Sequence, residues 1–385
     1  MDRLKPQIVL TAVGVVLLLI ILGANECNKP PELGGPLRGL SDDEREQFDR
    51  GKALFGRTFV PGDGLGPLFN ATSCAECHES PVQGGVGDEI ELHISKSLPD
   101  GSCDPLLELG GPVLQGESSP LLEAHGITGE TVPIALVPAH RTSPHVFGFG
   151  LLDAIPDAEL RALADPDDAD GDGVSGRLAV LADGTIGRFG RKAAVSSLEN
   201  FTEIALLQEQ GITSPAFPDE LLPNGQALPA GVDPVEVPEL NGADTEAVFA
   251  YVRFLAPPAP QRPEGNAYIF VSLGCAKCHV LTLKTKESEI DALNSKNVAA
   301  YTDLLLHDMG PELADICMGA ATAREFRTAP LIGLHLSEQF LHDGRAKSIE
   351  AAILAHGGEA NVARTAFTAL VPEDKRALLK FLGGL

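Results

Sequence analysis

Two copies of Cys-x-x-Cys-His, Cys74-Ala75-Glu76-Cys77-His78 and Cys275-Ala276-Lys277-Cys278-His279, constrain this chain more than any other feature. On one helical turn the two cysteines of each pentapeptide face the same way, within reach of both vinyl groups of a haem, and the next residue brings a histidine to the iron. A Cys-x-x-Cys pair also serves zinc sites and redox dithiols, but neither needs the following histidine. The motifs therefore predict two covalent c-type haems, attached through Cys74, Cys77, Cys275 and Cys278, with His78 and His279 as axial ligands. Of the seven cysteines, Cys27, Cys103 and Cys317 remain. In an oxidising compartment Cys103 and Cys317 are able to pair, leaving Cys27 near the amino terminus.

The amino terminus fits the compartment that haem attachment requires. Arg3 and Lys5 precede an uncharged apolar run from Ile8 to Ala24, which reads as an export signal. Its length lies between a signal-peptide core and a short membrane span, and Ala24-Asn25-Glu26-Cys27 makes a poor cleavage site and a poor lipoprotein box. Residues 1–26 are therefore expected to be a signal peptide or an uncleaved anchor in the inner membrane, and the expected location is the periplasm or cell envelope. A formal charge of −25 argues against nucleic acid and anionic lipid surfaces as partners. It suits a basic electron donor or acceptor such as a small periplasmic cytochrome.

The two haem motifs sit in similar segments. Arg50-Gly51-Lys52-Ala53-Leu54-Phe55 leads toward the first, and Gly265-Asn266-Ala267-Tyr268-Ile269-Phe270 leads into the second. Arg141-Thr142-Ser143-Pro144 recurs as Arg327-Thr328-Ala329-Pro330, and each unit ends in a helical pattern, 245–255 and 373–382. The expected organisation is a spacer over 27–40, a first haem domain over 41–257, a linker over 258–263 and a second haem domain over 264–385. Ser41-Asp42-Asp43-Glu44 is a capping box that opens a helix toward Phe55. The stretch 214–240 is rich in proline and interrupted by Asn-Gly, so it reads as a long loop. The fold class is mainly α: two tandem cytochrome c-like domains with long loops, behind the terminal segment.

Phe69 to His78, Gly148 to Pro156, the loop from Asp165 to Arg177, Phe189 to Leu206, His307-Asp308-Met309-Gly310-Pro311 and Phe340 to Ala360 together resemble the di-haem oxidoreductase family often labelled thiol oxidoreductases. That family is related to bacterial di-haem cytochrome c peroxidases and to the di-haem enzyme that matures methylamine dehydrogenase. The resemblance implies a peroxidase-like enzyme with substrate or peroxide at the first haem and electron relay at the second. The alternatives are a di-haem electron carrier with both irons six-coordinate, and an oxygenase or protein-modifying enzyme on the same scaffold.

In the relatives the segment matching Phe340 to His356 supplies the distal ligand of the second haem. It carries methionine or tyrosine there, and His356 here, so the expected coordination is His279/His356, with His342, Met309 and Met318 as competitors. The plain alternative is a histidine that caps a helix before Gly357-Gly358. Aligning Leu198-Glu199 with Ile349-Glu350 puts Ala205 where His356 stands, so the first iron is expected to be open or weakly ligated unless His93, His125, His140 or His145 closes it. Glu199 or Glu203 is then the candidate acid/base for cleaving the O–O bond. The chain has no tryptophan, so an aromatic bridge between the haems falls to phenylalanine or to Tyr251, Tyr268 or Tyr301. Finally, Asp168, Asp170 and Asp172 have the alternate spacing of a calcium loop, while Ala179 stands where an EF-hand places its glutamate. That loop reads either as a calcium site or as a solvated acidic turn.

Overall fold

The computed structural model describes residues 30–261 and 267–385. The apolar run 8–24, Cys27 and part of the expected linker lie outside them. Among the described residues no helix is long and apolar enough to cross a membrane.

Helix α1 (Asp42–Phe55) starts as its sequence dictates. Ser41 Oγ accepts from the Glu44 amide at 3.2 Å and Glu44 Oε2 accepts from the Ser41 amide at 2.7 Å, with Asp42 and Asp43 completing an acidic first turn. Two further long helices, α2 (Leu198–Gln210) and α3 (Gly242–Phe254), stand with it around the first motif. The close approach of α1 to α3 depends on Gly51, since a Cβ there would come within 1.8 Å of the Ala247 carbonyl oxygen. Phe48 and Phe55 fill the seam on either side, with ring centroids 5.1 and 4.9 Å from Tyr251.

In the second half, α4 (Ile349–Ala355) and α5 (Pro372–Leu382) enclose a smaller core of Ile269, Phe270, Phe367, Leu378, Phe381 and Leu382. The larger core runs from Leu37 through Tyr251 and takes in Leu283, Leu293, Leu304 and Ile332. It thus continues past the expected boundary at 258–263, because the chain after the second motif folds back over the first helices.

Helices dominate the regular structure, and the sheets are small. The largest has Ile90–His93 at its centre, antiparallel to Val113–Leu114 and to Ala139–Thr142, with Glu91 opposite Arg141. A hairpin pairs Leu306–Asp308 with Glu325–Arg327, setting His307 opposite Phe326 and Leu306 opposite Arg327. The span 214–240 carries only a single turn of 3-10 helix at Pro223–Gly225, as its prolines require.

The duplication is visible in detail at an offset of 151 residues. Phe189 bridges Val195 and Phe340 bridges Ala346; the turns between them take positive φ at Gly190 and Ala193 and again at Leu341 and Gly344. Ser197 then caps α2 through the Asn200 amide, and Ser348 caps α4 through the Ala351 amide. A disulfide joins Cys103 to Cys317 across 214 residues, with Cα atoms 5.7 Å apart.

Candidate haem sites

Each motif forms a short turn that places its histidine in the same way. Cys74–Cys77 is one helical turn capped by Ser73, and the His78 amide donates to the Cys74 carbonyl at 3.1 Å. Cys275–Lys277 is one 3-10 turn, and the His279 amide donates to Cys275 at 2.9 Å. His78 Nδ1 lies 3.2 Å from the Gly85 carbonyl, and His279 Nδ1 lies 2.9 Å from the Tyr301 carbonyl. Gly85 is needed in the first turn because a Cβ would meet the Ser80 carbonyl oxygen at 1.9 Å. A carbonyl at Nδ1 fixes the tautomer that leaves Nε2 as a ligand atom. Burial pushes both rings toward the neutral form, His279 down to about 4.

The four motif thiols are held protonated. Burial raises Cys74 to about 12 and Cys275 to about 11, and raises Cys77 and Cys278 as well. Low-pKa thiolates, which a reactive dithiol needs, are therefore missing here. Neutral thiols on one turn beside an oriented histidine suit thioether formation to a haem.

A cavity of about 910 Å³ opens on the second motif, lined by Cys275, Cys278, His279 and His356 among others. That volume is at the upper end of the range for cofactor sites, about 300–1,000 Å³. His356 ends α4, and its Nδ1 lies 2.7 Å from the Ala352 carbonyl, so it is both the helix cap and a ring with one nitrogen fixed. His356 is close enough to His279 to help depress its pKa. Of the competitors, His342 and Met309 line the same cavity and Met318 does not. His342 stacks on Phe326 at 4.4 Å with Nε2 3.6 Å from Asp315; Met309 reaches the wall; Met318 pairs with Ala321 in a tight turn.

The first motif has a different neighbour. Helix α2 passes it with Leu198, Thr202, Leu206 and Gln210 turned inward, and Cys74 Sγ donates to Gln210 Oε1 at 3.2 Å. Ala205 supplies no donor. Glu209 accepts from Asn70 Nδ2 at 2.9 Å, and burial, with the charge of Glu91 added, raises its carboxyl well above the usual range. Glu199 is exposed in the first turn of α2, and Glu203 Oε2 accepts from Ser214 Oγ at 2.8 Å. Sequence reading passed over Glu209 and Gln210. The available signal was Gln210 itself, a polar residue closing an apolar stripe of four-residue spacing.

His125 and His140 are exposed, and His93 pairs with Glu91 at 3.0 Å. His145 is buried against the Ile332 carbonyl at 2.6 Å, and burial lowers it to about 4. Tyr251 lies beside the first motif with its hydroxyl donating to Gln83, Tyr301 lies edge-on to Phe270 beside the second, and Tyr268 is exposed.

The acidic loop groups differently from its sequence spacing. Oxygens of Asp165, Asp168 and Asp170 come together within 4.8 Å, whereas Asp172 is drawn off to Lys277 of the second motif at 2.8 Å. Next to that motif His307 is clasped by Asp303 and Glu359, each at 2.8 Å. Burial opposes its charge, but these bonds, with one to Cys278, raise it to about 12.

No curated protein matches the chain. Among solved structures it is similar to hydrazine synthase of Kuenenia stuttgartiensis, with 15% identity, 93% of this chain and 95% of that chain covered and a TM-score of 0.40. It is similar to a MauG-like protein associated with microbial copper homeostasis, with 15% identity, 93% of each chain and a TM-score of 0.39. A variant of the di-haem peroxidase BthA of Burkholderia thailandensis follows, with 15% identity, 84% of this chain, 73% of that chain and a TM-score of 0.30. The family model for di-haem oxidoreductases matches residues 134–385. The chain belongs to the di-haem oxidoreductase family, and its cofactors are haems.

Proposed function

We propose that this protein is an exported di-haem c-type oxidoreductase with peroxidase-like turnover at the first haem and electron relay at the second. The observation that carries the proposal is an asymmetry at one repeat position: His356 lines the same cavity as His279, while Ala205, at the matching place in the first repeat, has no ligand atom. Cys74, Cys77, Cys275 and Cys278 would hold the haems as thioethers, with His78 and His279 offered to the two irons and His356 as the further ligand at the second. A haem iron supplies one-electron chemistry and, where a coordination position is open, a place for peroxide.

The protein's own residues then orient and move protons. The Gly85 and Tyr301 carbonyls hold the histidine rings. Glu209, whose carboxyl is raised well above the usual range by burial, is the group suited to give a proton to the leaving oxygen, and Glu203 beside Ser214 is the second choice. Reduction of hydrogen peroxide to two waters needs two protons and two electrons. A small basic periplasmic cytochrome is the electron donor that the −25 charge favours. Asp165, Asp168 and Asp170 are the proposed calcium ligands, in place of the set that includes Asp172. A melting temperature unmoved by a calcium chelator would remove that assignment.

The test is electron paramagnetic resonance and optical spectroscopy of the purified protein, oxidised and half-reduced, with peroxide added to each. A high-spin, peroxide-sensitive haem is expected. Two low-spin haems indifferent to peroxide in both states would leave a di-haem electron carrier.

A further inference from the structure

Four largely desolvated cationic side chains lie near one another beside the cavity, and they fall into two pairs. Arg141 and Lys192 are buried and both bind Asp315, Lys192 at 3.0 Å. Arg191 and Arg327 have no carboxylate at ion-pair distance among the described residues. Arg191 Nη2 donates to the Thr142 carbonyl at 2.9 Å, while Arg327 donates from Nε to Gly190 and from Nη1 to Thr328, each at 3.0 Å. All these acceptors are neutral. Desolvation lowers both guanidiniums to about 10, assisted by Arg141 beside Arg191 and by Arg191 beside Arg327, and opposed by the more distant charges of Glu91 and Asp343 on Arg191 and of Asp303 on Arg327.

Removing a guanidinium from water costs several kcal/mol unless an anion takes the place of the solvent. Arg191 and Arg327 both line the cavity that holds Cys275, Cys278, His279 and His356, so their unused N–H groups have access to whatever fills it. Of the other cations on that wall, Lys277 is paired with Asp172, and Arg364 donates to the Asn361 side-chain oxygen at an exposed position. A planar guanidinium fork matches a carboxylate, and a haem brings two of them.

We propose that Arg191 and Arg327 bind the propionates of the haem attached at Cys275 and Cys278, an inference that rests on reading this cavity as a haem site. Arg191 comes from the first repeat and Arg327 from the second, so one cofactor is gripped by both. With its propionates neutralised, the iron loses electron density that would favour the ferric state, and the second haem gains potential.

The test uses holoprotein carrying R191Q, R327Q and both. It measures haem per chain, the propionate bending modes in resonance Raman, and the midpoint potential of the low-spin haem. Two haems retained, shifted propionate modes and a lowered midpoint, further lowered in the double variant, are expected. R191K and R327K keep the charge without the fork, so they should restore most of the midpoint while the modes stay shifted. Should the glutamine variants not accumulate, the lysine variants carry the test on the same modes. Two haems with unchanged modes in every variant that accumulates would overturn the propionate role and leave the haem reading standing. A wild-type chain with no haem on Cys275 and Cys278 would overturn both.

Discussion

The two repeats share a scaffold and differ at its business end. In both, a hairpin with two left-handed residues feeds a serine-capped helix, 151 residues apart. Seven residues beyond the cap-plus-one position, one helix ends at His356 and the other continues through Ala205 for another turn, bringing Glu209 and Gln210 to the first motif. Duplicated structure thus fixes the position, and single residues decide what side chain stands there, a histidine in one repeat and an alanine in the other.

The bluntest way to break this comparison is to remove one haem at a time. Replacing Cys275 and Cys278 together by alanine should halve the covalent haem content while leaving the spectrum of the other haem, and replacing Cys74 and Cys77 should do the reverse. Equal haem content in either double variant would end the attachment scheme. A sharper test exchanges the distal residues. His356→Ala should turn the second haem high-spin, and Ala205→His should make the first low-spin and cut peroxide turnover at least tenfold; unchanged spin states would show that other side chains fill those positions.

Next in size is Glu209→Gln, expected to lower peroxide turnover by about 10²–10⁴, whereas Glu199→Gln on the exposed turn should leave it within twofold. Equal effects would point to a proton source outside α2. Replacing Cys103 and Cys317 by serine should cost about 2–4 kcal/mol of stability, read from denaturant unfolding of the oxidised holoprotein.

The smallest expected effect is on pH dependence. Glu220, half-buried in the long loop beside Glu239 and Asp233, has its pKa raised to about 8 by desolvation first and by those charges second. A carboxyl raised in the folded state costs nothing below its unfolded pKa near 4.5 and destabilises progressively as pH rises toward 8. Glu220→Gln should remove that decline, a slope of no more than about 1.4 kcal/mol per pH unit. Parallel stability profiles for the two proteins between pH 5 and 8 would show that Glu220 is charged throughout.

What the sequence disclosed was local. The cap at Ser41, the turns at Cys74 and Cys275, the loop over 214–240 and the register of the repeat all follow from neighbours a few residues apart. Three leftover cysteines allowed more than one pairing, and the fold brings Cys103 to Cys317. What stayed hidden depends on partners far along the chain. Asp172 leaves its loop because Lys277 approaches from the second motif, and Asp165 enters the cluster because the turn folds its amides onto that carboxylate. Glu209 acquires its shift from burial and from the charge of Glu91, against the hydrogen bond from Asn70, and spacing could bring neither residue to it. The large core crosses the expected linker for the same reason.

The Cys103–Cys317 bridge closes a covalent ring that contains the second motif and excludes the first. A protease cutting within the proline-rich span 214–240 would open that ring without dividing the molecule. On a non-reducing gel the nicked protein should run as one species bearing both haems, and only a reductant should release two fragments with one haem each. The bridge thereby acts as a tether, holding the two halves of the molecule together even in a chain whose backbone has been severed.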